Sequence, residues 1–147
     1  LGVFSTSPAI TQTSANVLSE LIATFMFVLG LLAIGANEFT QGLKPLIVGL
    51  LVMAIGNSLG STTGYAINPA RDLGPHIAHA ILPIAGKGDS NWCYAWVPVL
   101  GPVLGGIYAA LFYLAVFKDT VSVLFWVASV AVVAFMAYAT ARKPSAA

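Results

Sequence analysis

The stretch that decides the fold lies in the middle of the chain, at residues 63–84, and reads TGYAINPARDLGPHIAHAILPI. It is too apolar for a free loop, yet Pro69 and Pro75 interrupt it too soon for a helix that spans a membrane. Asn68 is a preferred N-cap and proline a preferred first helical residue, so the sequence predicts a short helix over 68–80, loosened near Pro75. A segment of this kind enters the membrane and returns to the same side, and its short helix is called a re-entrant half-helix.

The chain just before this half-helix predicts a water-filled passage. Irregular backbone survives at membrane depth only inside protein or along a wet cavity, because each unpaired polar group costs several kcal/mol in hydrocarbon. The helix N-terminus carries roughly +0.5 elementary charge, and Arg71 adds a full charge one turn in, so cations are repelled. The Asn68 amide donates to a hydroxyl or to water, while the carbonyls of residues 64–67 accept. This pattern suits water and neutral polyols.

The composition of the whole chain places it in a lipid bilayer. Of its 147 residues, 59% are apolar and 7% are charged, and the mean hydropathy is +0.91. A soluble domain carries roughly a quarter charged residues, so an ordinary water-soluble globule is excluded. A formal net charge of +1 without a basic run excludes nucleic acid as a partner. The lone Cys93 forms no intrachain disulfide, and no ligand spacing predicts a metal or a cofactor.

Apolar runs around the central stretch predict an all-α membrane helical bundle. Spanning helices are expected over four ranges in addition to the half-helix: about 17–36, 45–63, 94–117 and 121–141. Residues 1–16 are expected to form a polar approach loop without a cleavable signal peptide. Residues 118–147 add a polar turn, one extra C-terminal span over 121–141 and a short basic tail with Arg142 and Lys143.

Glycines recur at every fourth residue in two of these predicted spans. Gly56, Gly60 and Gly64 fall on one face of the second span, and Gly101 and Gly105 are again four apart in the third. Because glycine has no Cβ, such a stripe lets another backbone approach closely. The spacing therefore predicts a packing stripe.

The run of Asn68, Pro69 and Ala70, followed by Arg71 and Asp72, resembles the second signature box of the major intrinsic proteins, which are the aquaporins and glycerol facilitators. The similarity extends over the helices before and after the box. The resemblance implies an aquaporin-like half-repeat that passes small neutral solutes down their gradient. It implies no enzymatic activity and no cofactor.

The resemblance also assigns roles to single residues. The family's selectivity filter and pore contacts fall on four positions here: Gly56, Tyr65, Asn68 and Arg71. Asp72 and Pro98 are similar to markers of the glycerol-conducting branch, and a glycine at position 56 leaves room for a carbon backbone. Glu20 resembles a buried glutamate that holds the re-entrant loop in place. His76 departs from the Lys or Arg usual at its position in glycerol channels.

The family builds its pore from two re-entrant boxes that belong to inverted repeats. This chain carries one box, so residues 1–117 resemble the C-terminal half of a channel, and the pore is expected to need a missing N-terminal half. The residues after 117 go beyond the usual end of the family. The resemblance further implies a multi-pass protein of the plasma membrane, in contact with lipid and assembled as a homo-oligomer, a tetramer in the family.

The sequence leaves other interpretations open beside a channel for glycerol or similar polyols and water. One is a non-conducting fragment or assembly remnant of such a channel. Another is an intramembrane hydrolase, because residues 56–60 match the G-x-S-x-G pattern with Ser58 as the nucleophile. His76 and His79 are interpreted as residues of a plain half-helix surface rather than as metal ligands. For Glu20, a structural role is preferred over proton relay.

Overall fold

The computed structural model describes residues 1–2 and 4–141, and this part of the chain is helical without strands. Its six helices follow in chain order: α1 Thr13–Gly35, α2 Leu43–Leu59, α3 Pro69–Ile81, α4 Trp92–Ala95, α5 Val97–Phe117 and α6 Val123–Ala141. The prediction of an all-α membrane bundle is confirmed. Arg142 and Lys143, the predicted basic tail, lie outside the described residues.

Among the described residues, three helices are long and apolar enough to cross a membrane: α1, α6 and the continuous segment Trp92–Phe117 that joins α4 to α5. The predicted span over 45–63 is wrong at its end, because α2 stops at Leu59 after 17 residues. Gly60 caps the helix. The next residues, 61–64, are serine, threonine and glycine, which are poor helix formers, and they form a turn that the hydrogen bond from the Gly64 N–H to the Gly60 carbonyl closes at 2.8 Å. At 1.5 Å per residue α2 is about 25 Å long.

The core lies between α1 and α5, which form the most extensive helix contact of the fold. A Cβ on Gly101 would come within 2.6 Å of the Glu20 Cβ, and a Cβ on Gly105 would collide with the Leu21 carbonyl. Only glycine therefore lets the two backbones come so close. The close packing predicted for this pair is confirmed.

The predicted glycine stripe of the second span is wrong in one respect. Gly64 does not lie on α2 at all, because the helix has ended and the residue adopts a φ of +82° in the following loop. A Cβ added to Gly56 would come within 3.0 Å of the Tyr65 ring. A Cβ added to Gly60 would meet the carbonyl oxygen of Gly56 and, at 2.5 Å, the same ring. The two glycines thus hold an aromatic ring rather than a second helix backbone, because the chain turns back over the end of α2.

The C-terminal helix α6 packs on both α5 and α1. The Tyr108 hydroxyl lies 3.2 Å from Ser129 Oγ, and the Tyr108 ring stacks on Phe125 with an interplanar angle of 5°. At the other end of α6, Gln12 Nε2 donates to the Ala139 carbonyl at 2.9 Å. The helix therefore runs back along α5 and ends beside the start of α1.

Candidate pore site

The half-helix α3 begins at Pro69, directly after its N-cap residue Asn68. Asn68 has an extended backbone, and its Oδ1 accepts hydrogen bonds from the N–H groups of Ala70 at 2.9 Å and Arg71 at 3.3 Å. Pro69 occupies the first turn, where its missing N–H costs no hydrogen bond. Because the amide oxygen is engaged, the Asn68 NH₂ group is the part of the side chain that suits a solute oxygen.

The loop before α3 has a strained backbone. Gly64, Tyr65 and Ile67 have φ values of +82°, +44° and +45°. Glycine adopts such values freely, but a β-branched isoleucine does so rarely, and each such residue costs about 1–3 kcal/mol. The surrounding structure must therefore hold this loop in place.

Glu20 supplies that support from α1. Its Oε1 accepts from the Thr63 hydroxyl at 2.6 Å and from the Ala66 N–H at 2.9 Å, while Oε2 accepts from the Ile67 N–H at 2.9 Å. The side chain is fully buried. Hydrogen bonds to a buried carboxylate are about twice as strong as neutral ones, so Glu20 offsets much of the cost of the strained loop.

Three of the four predicted pore residues form one cluster. The Tyr65 ring lies over Gly56, and the guanidinium carbon of Arg71 is 5.8 Å from the centre of that ring. Gly56 and Tyr65 also line a cavity of about 410 Å³ on the open side of α2. Asn68, the fourth, caps the helix that carries Arg71. Arg71 is exposed.

Pro98 is not part of this cluster's cavity. It lies fully buried in the first turn of α5, which tolerates proline.

The interpretation of His76 and His79 as a plain half-helix surface is wrong. His76 is fully buried, with Nδ1 2.9 Å from the Asp72 carbonyl and 3.2 Å from Asp72 Oδ2. His79 is 8% exposed, and its Nδ1 lies 2.9 Å from Ser90 Oγ. Both side chains are covered because α3 packs against α5 and the neighbouring segments. In the part of the chain that is described, no three His, Cys, Asp or Glu side chains are grouped for a metal ion.

The hydrolase interpretation of Ser58 is also wrong. The residue lies near the end of α2, where its hydroxyl donates to the Ala54 carbonyl at 2.7 Å. A nucleophile elbow needs a sharp turn from a strand into a helix. Residues 43–59 form a continuous helix instead, so this serine is not exposed on such a turn.

Two polar contacts of α3 were missed by the sequence analysis. Asp72 Oδ1 accepts from both the N–H and the hydroxyl of Thr6, at 2.6 Å each, although these residues are far apart in the chain. At the other end of α3, the Lys87 ammonium donates to the carbonyls of His79 at 3.1 Å and of Ala80 and Leu82 at 2.9 Å. A lysine shortly after a helix end is a recognisable signal for such a cap. No local signal connects Thr6 with Asp72.

Three apolar helices of membrane-spanning length, together with a re-entrant half-helix, define a multi-pass membrane protein. Residues 2–113 match the major intrinsic protein family, and the chain belongs to that family.

Curated relatives narrow the comparison. The chain is 68% identical over 133 residues to a glycerol uptake facilitator protein of Bacillus subtilis. This alignment covers 90% of this chain and 48% of that protein. It is 59% identical over 113 residues to glycerol uptake facilitator protein 3 of Lactiplantibacillus plantarum, with 77% and 47% covered. A probable glycerol uptake facilitator protein of Thermotoga maritima is 58% identical over 113 residues, with 77% and 48% covered. The chain thus spans about half the length of the curated relatives it matches.

The match with the Bacillus subtilis protein also bears on α6. An alignment of 133 residues is longer than the channel unit predicted over 1–117, so it includes part of the chain beyond Phe117. The extra C-terminal region is therefore shared, at least in part, with that relative.

Proposed function

We propose that this chain forms one half of a plasma-membrane channel that conducts glycerol or similar small neutral polyols, and water, down their gradient. The proposal rests on one observation above all, the cluster of Gly56, Tyr65 and Arg71 beside the N-terminus of a re-entrant half-helix. The names of the relatives, glycerol uptake facilitators, support the same solute class. No chemical step and no cofactor is involved.

Each filter residue replaces part of the hydration that a polyol loses on entering the pore. Arg71 donates several fixed N–H groups to hydroxyl oxygens and repels cations. The Tyr65 ring offers an apolar wall to the carbon side of the solute. Gly56 carries no side chain and leaves room for that carbon backbone, while the Asn68 NH₂ group donates at the start of the half-helix. Glu20 holds the loop that carries the ring.

A complete pore needs a second re-entrant segment. Inverted repeats of this kind place their binding site at the interface between the two halves. The described residues supply one such segment, within a unit that we assign to 1–117. We therefore propose that an N-terminal half completes the pore, and that the whole assembles as a homo-oligomer, a tetramer by resemblance to the family, surrounded by lipid.

Swelling of proteoliposomes tests the proposal. The chain joined to an N-terminal half should give glycerol-driven swelling well above empty vesicles, and the chain alone should give none. An impermeant osmolyte measures water flux in the same vesicles. If the joined protein is folded and still passes no glycerol, the proposed function is wrong and a non-conducting assembly role is favoured.

A further inference from the structure

Thr6 joins the segment before α1 to the half-helix. The residue is 4% exposed, and its backbone N–H and hydroxyl both donate to Oδ1 of Asp72 at 2.6 Å. Asp72 is fully buried in the first turn of α3. Two donors of one residue on one oxygen of a buried carboxylate make a strong contact that depends closely on geometry.

His76 lies beside this carboxylate on the same helix. Its Nδ1 lies 3.2 Å from the other carboxylate oxygen, Oδ2, and 2.9 Å from the carbonyl of Asp72. Both neighbours of this nitrogen are acceptors, so Nδ1 is the nitrogen that carries a proton.

The opposite side of Thr6 faces the re-entrant loop. A Cβ on Gly64 would lie 3.5 Å from both the Cβ and the methyl carbon of Thr6, so Thr6 fills the space beside that glycine. Three residues further on, the Ala9 N–H donates to the Thr62 carbonyl at 2.9 Å. The segment before α1 is therefore fixed to the loop as well as to the half-helix.

Thr6 therefore contacts two residues, Gly64 and Asp72, each of which is next in the chain to a proposed filter residue. Gly64 directly precedes Tyr65, and Asp72 directly follows Arg71. We propose that Thr6, acting through Asp72, is a positioning residue that sets the spacing between the Tyr65 ring and the Arg71 guanidinium, and with it the size of polyol that passes. The role in selection rests on the proposed function, whereas the contact itself does not.

Thr6→Val in the full-length channel tests this role. Valine keeps the branched shape and the backbone N–H but removes the hydroxyl, so Asp72 loses one of its two donors from Thr6. We expect the ratio of glycerol flux to the flux of a four-carbon polyol to fall about threefold, since part of the contribution of a charged hydrogen bond is lost. Thr6→Ser restores the hydroxyl and should restore the ratio. Thr11→Val, at an exposed threonine of the same segment, is the matched control.

A second measurement does not depend on transport. A cysteine placed at the exposed Ser7, with the exposed Cys93 replaced by serine, should react faster with a membrane-impermeant thiol reagent when Thr6 is valine. If Thr6→Val does not fold, Asp72→Asn replaces it, because the amide keeps an acceptor but loses the charge.

The outcomes separate this inference from the proposed function. An unchanged flux ratio and an unchanged labelling rate in folded Thr6→Val would overturn the positioning role. A faster labelling rate with an unchanged ratio would also overturn it, because the contact would then only anchor the segment. A wild-type channel that passes no polyol contradicts the proposed function, while the labelling rate still reports on the contact.

Discussion

Two pairs of glycines with the same spacing meet very different neighbours. Gly101 and Gly105 of α5 touch the backbone and first side-chain carbons of α1, which cannot move aside. Gly56 and the helix-capping Gly60 touch the ring of Tyr65, which is the end of a side chain from the next loop. Glycine spacing therefore predicts a close approach without telling what approaches. The neighbour decides whether a glycine allows two helix backbones to pack or makes room for a side chain.

The largest effect is expected from Gly105→Ala. The added Cβ would collide with the carbonyl of Leu21, so α1 and α5 must separate along their main contact. We expect a destabilisation of about 3 kcal/mol and a strong loss of folded protein, measured by size-exclusion chromatography in detergent. Gly106→Ala is the control, because its Cβ would meet only a Val28 methyl at 3.7 Å. Equal yields of the two variants would contradict the assignment of Gly105 to backbone packing.

A smaller effect is expected from Glu20→Gln, because Glu20 contacts both the helix packing at Gly101 and the loop that carries Tyr65. The Glu20 Cβ lies beside Gly101, while its carboxylate holds the loop that carries Tyr65. Glutamine removes the charge and turns an NH₂ group toward a backbone donor, which should cost about 2 kcal/mol. The thermal midpoint and the folded yield should fall, while folded molecules keep the glycerol-to-water flux ratio.

Glu38→Gln, at an exposed carboxylate between α1 and α2, serves as the matched control and should leave the thermal midpoint unchanged. A wild-type yield of Glu20→Gln combined with an altered pH dependence of flux would instead favour proton relay.

The smallest effect on folding, but a selective one on flux, is expected from Gly56→His. The imidazole adds bulk and a competing donor beside the Tyr65 ring, where an added Cβ already comes within 3.0 Å. Glycerol flux in the full-length channel should fall about tenfold and water flux much less, because the polyol is the wider solute. Gly35→Ala, at the end of α1, where an added Cβ meets no atom within 4 Å, should leave both fluxes unchanged. Equal losses for the two solutes would show that Gly56 serves packing.

The sequence predicted what is encoded locally. The half-helix was expected over 68–80 and is found at Pro69–Ile81, because an asparagine cap and a following proline act within one turn. The end of α2 was missed, since hydropathy does not register that Gly60 and the threonines after it stop a helix.

Contacts between distant parts of the chain were beyond sequence reasoning. The burial of His76 depends on the packing of α3 against α5, and the bond from Thr6 to Asp72 joins residues with no shared pattern. The position of the Tyr65 ring over Gly56 depends on a reversal of the chain after α2, which the spacing of the glycines does not reveal.

The lysine at the C-terminal end of α3 changes the electric field of that helix. A free helix acts as a dipole, whose potential decays with the square of distance because its two poles partly cancel. Here the Lys87 ammonium lies against three carbonyls at the negative pole of α3. With that pole neutralised, the partial positive charge at the N-terminus of α3 is no longer cancelled from the far end, and its potential decays with the first power of distance. The positive potential at the N-terminus of α3 therefore extends further than that of a helix whose C-terminal carbonyls are unpaired.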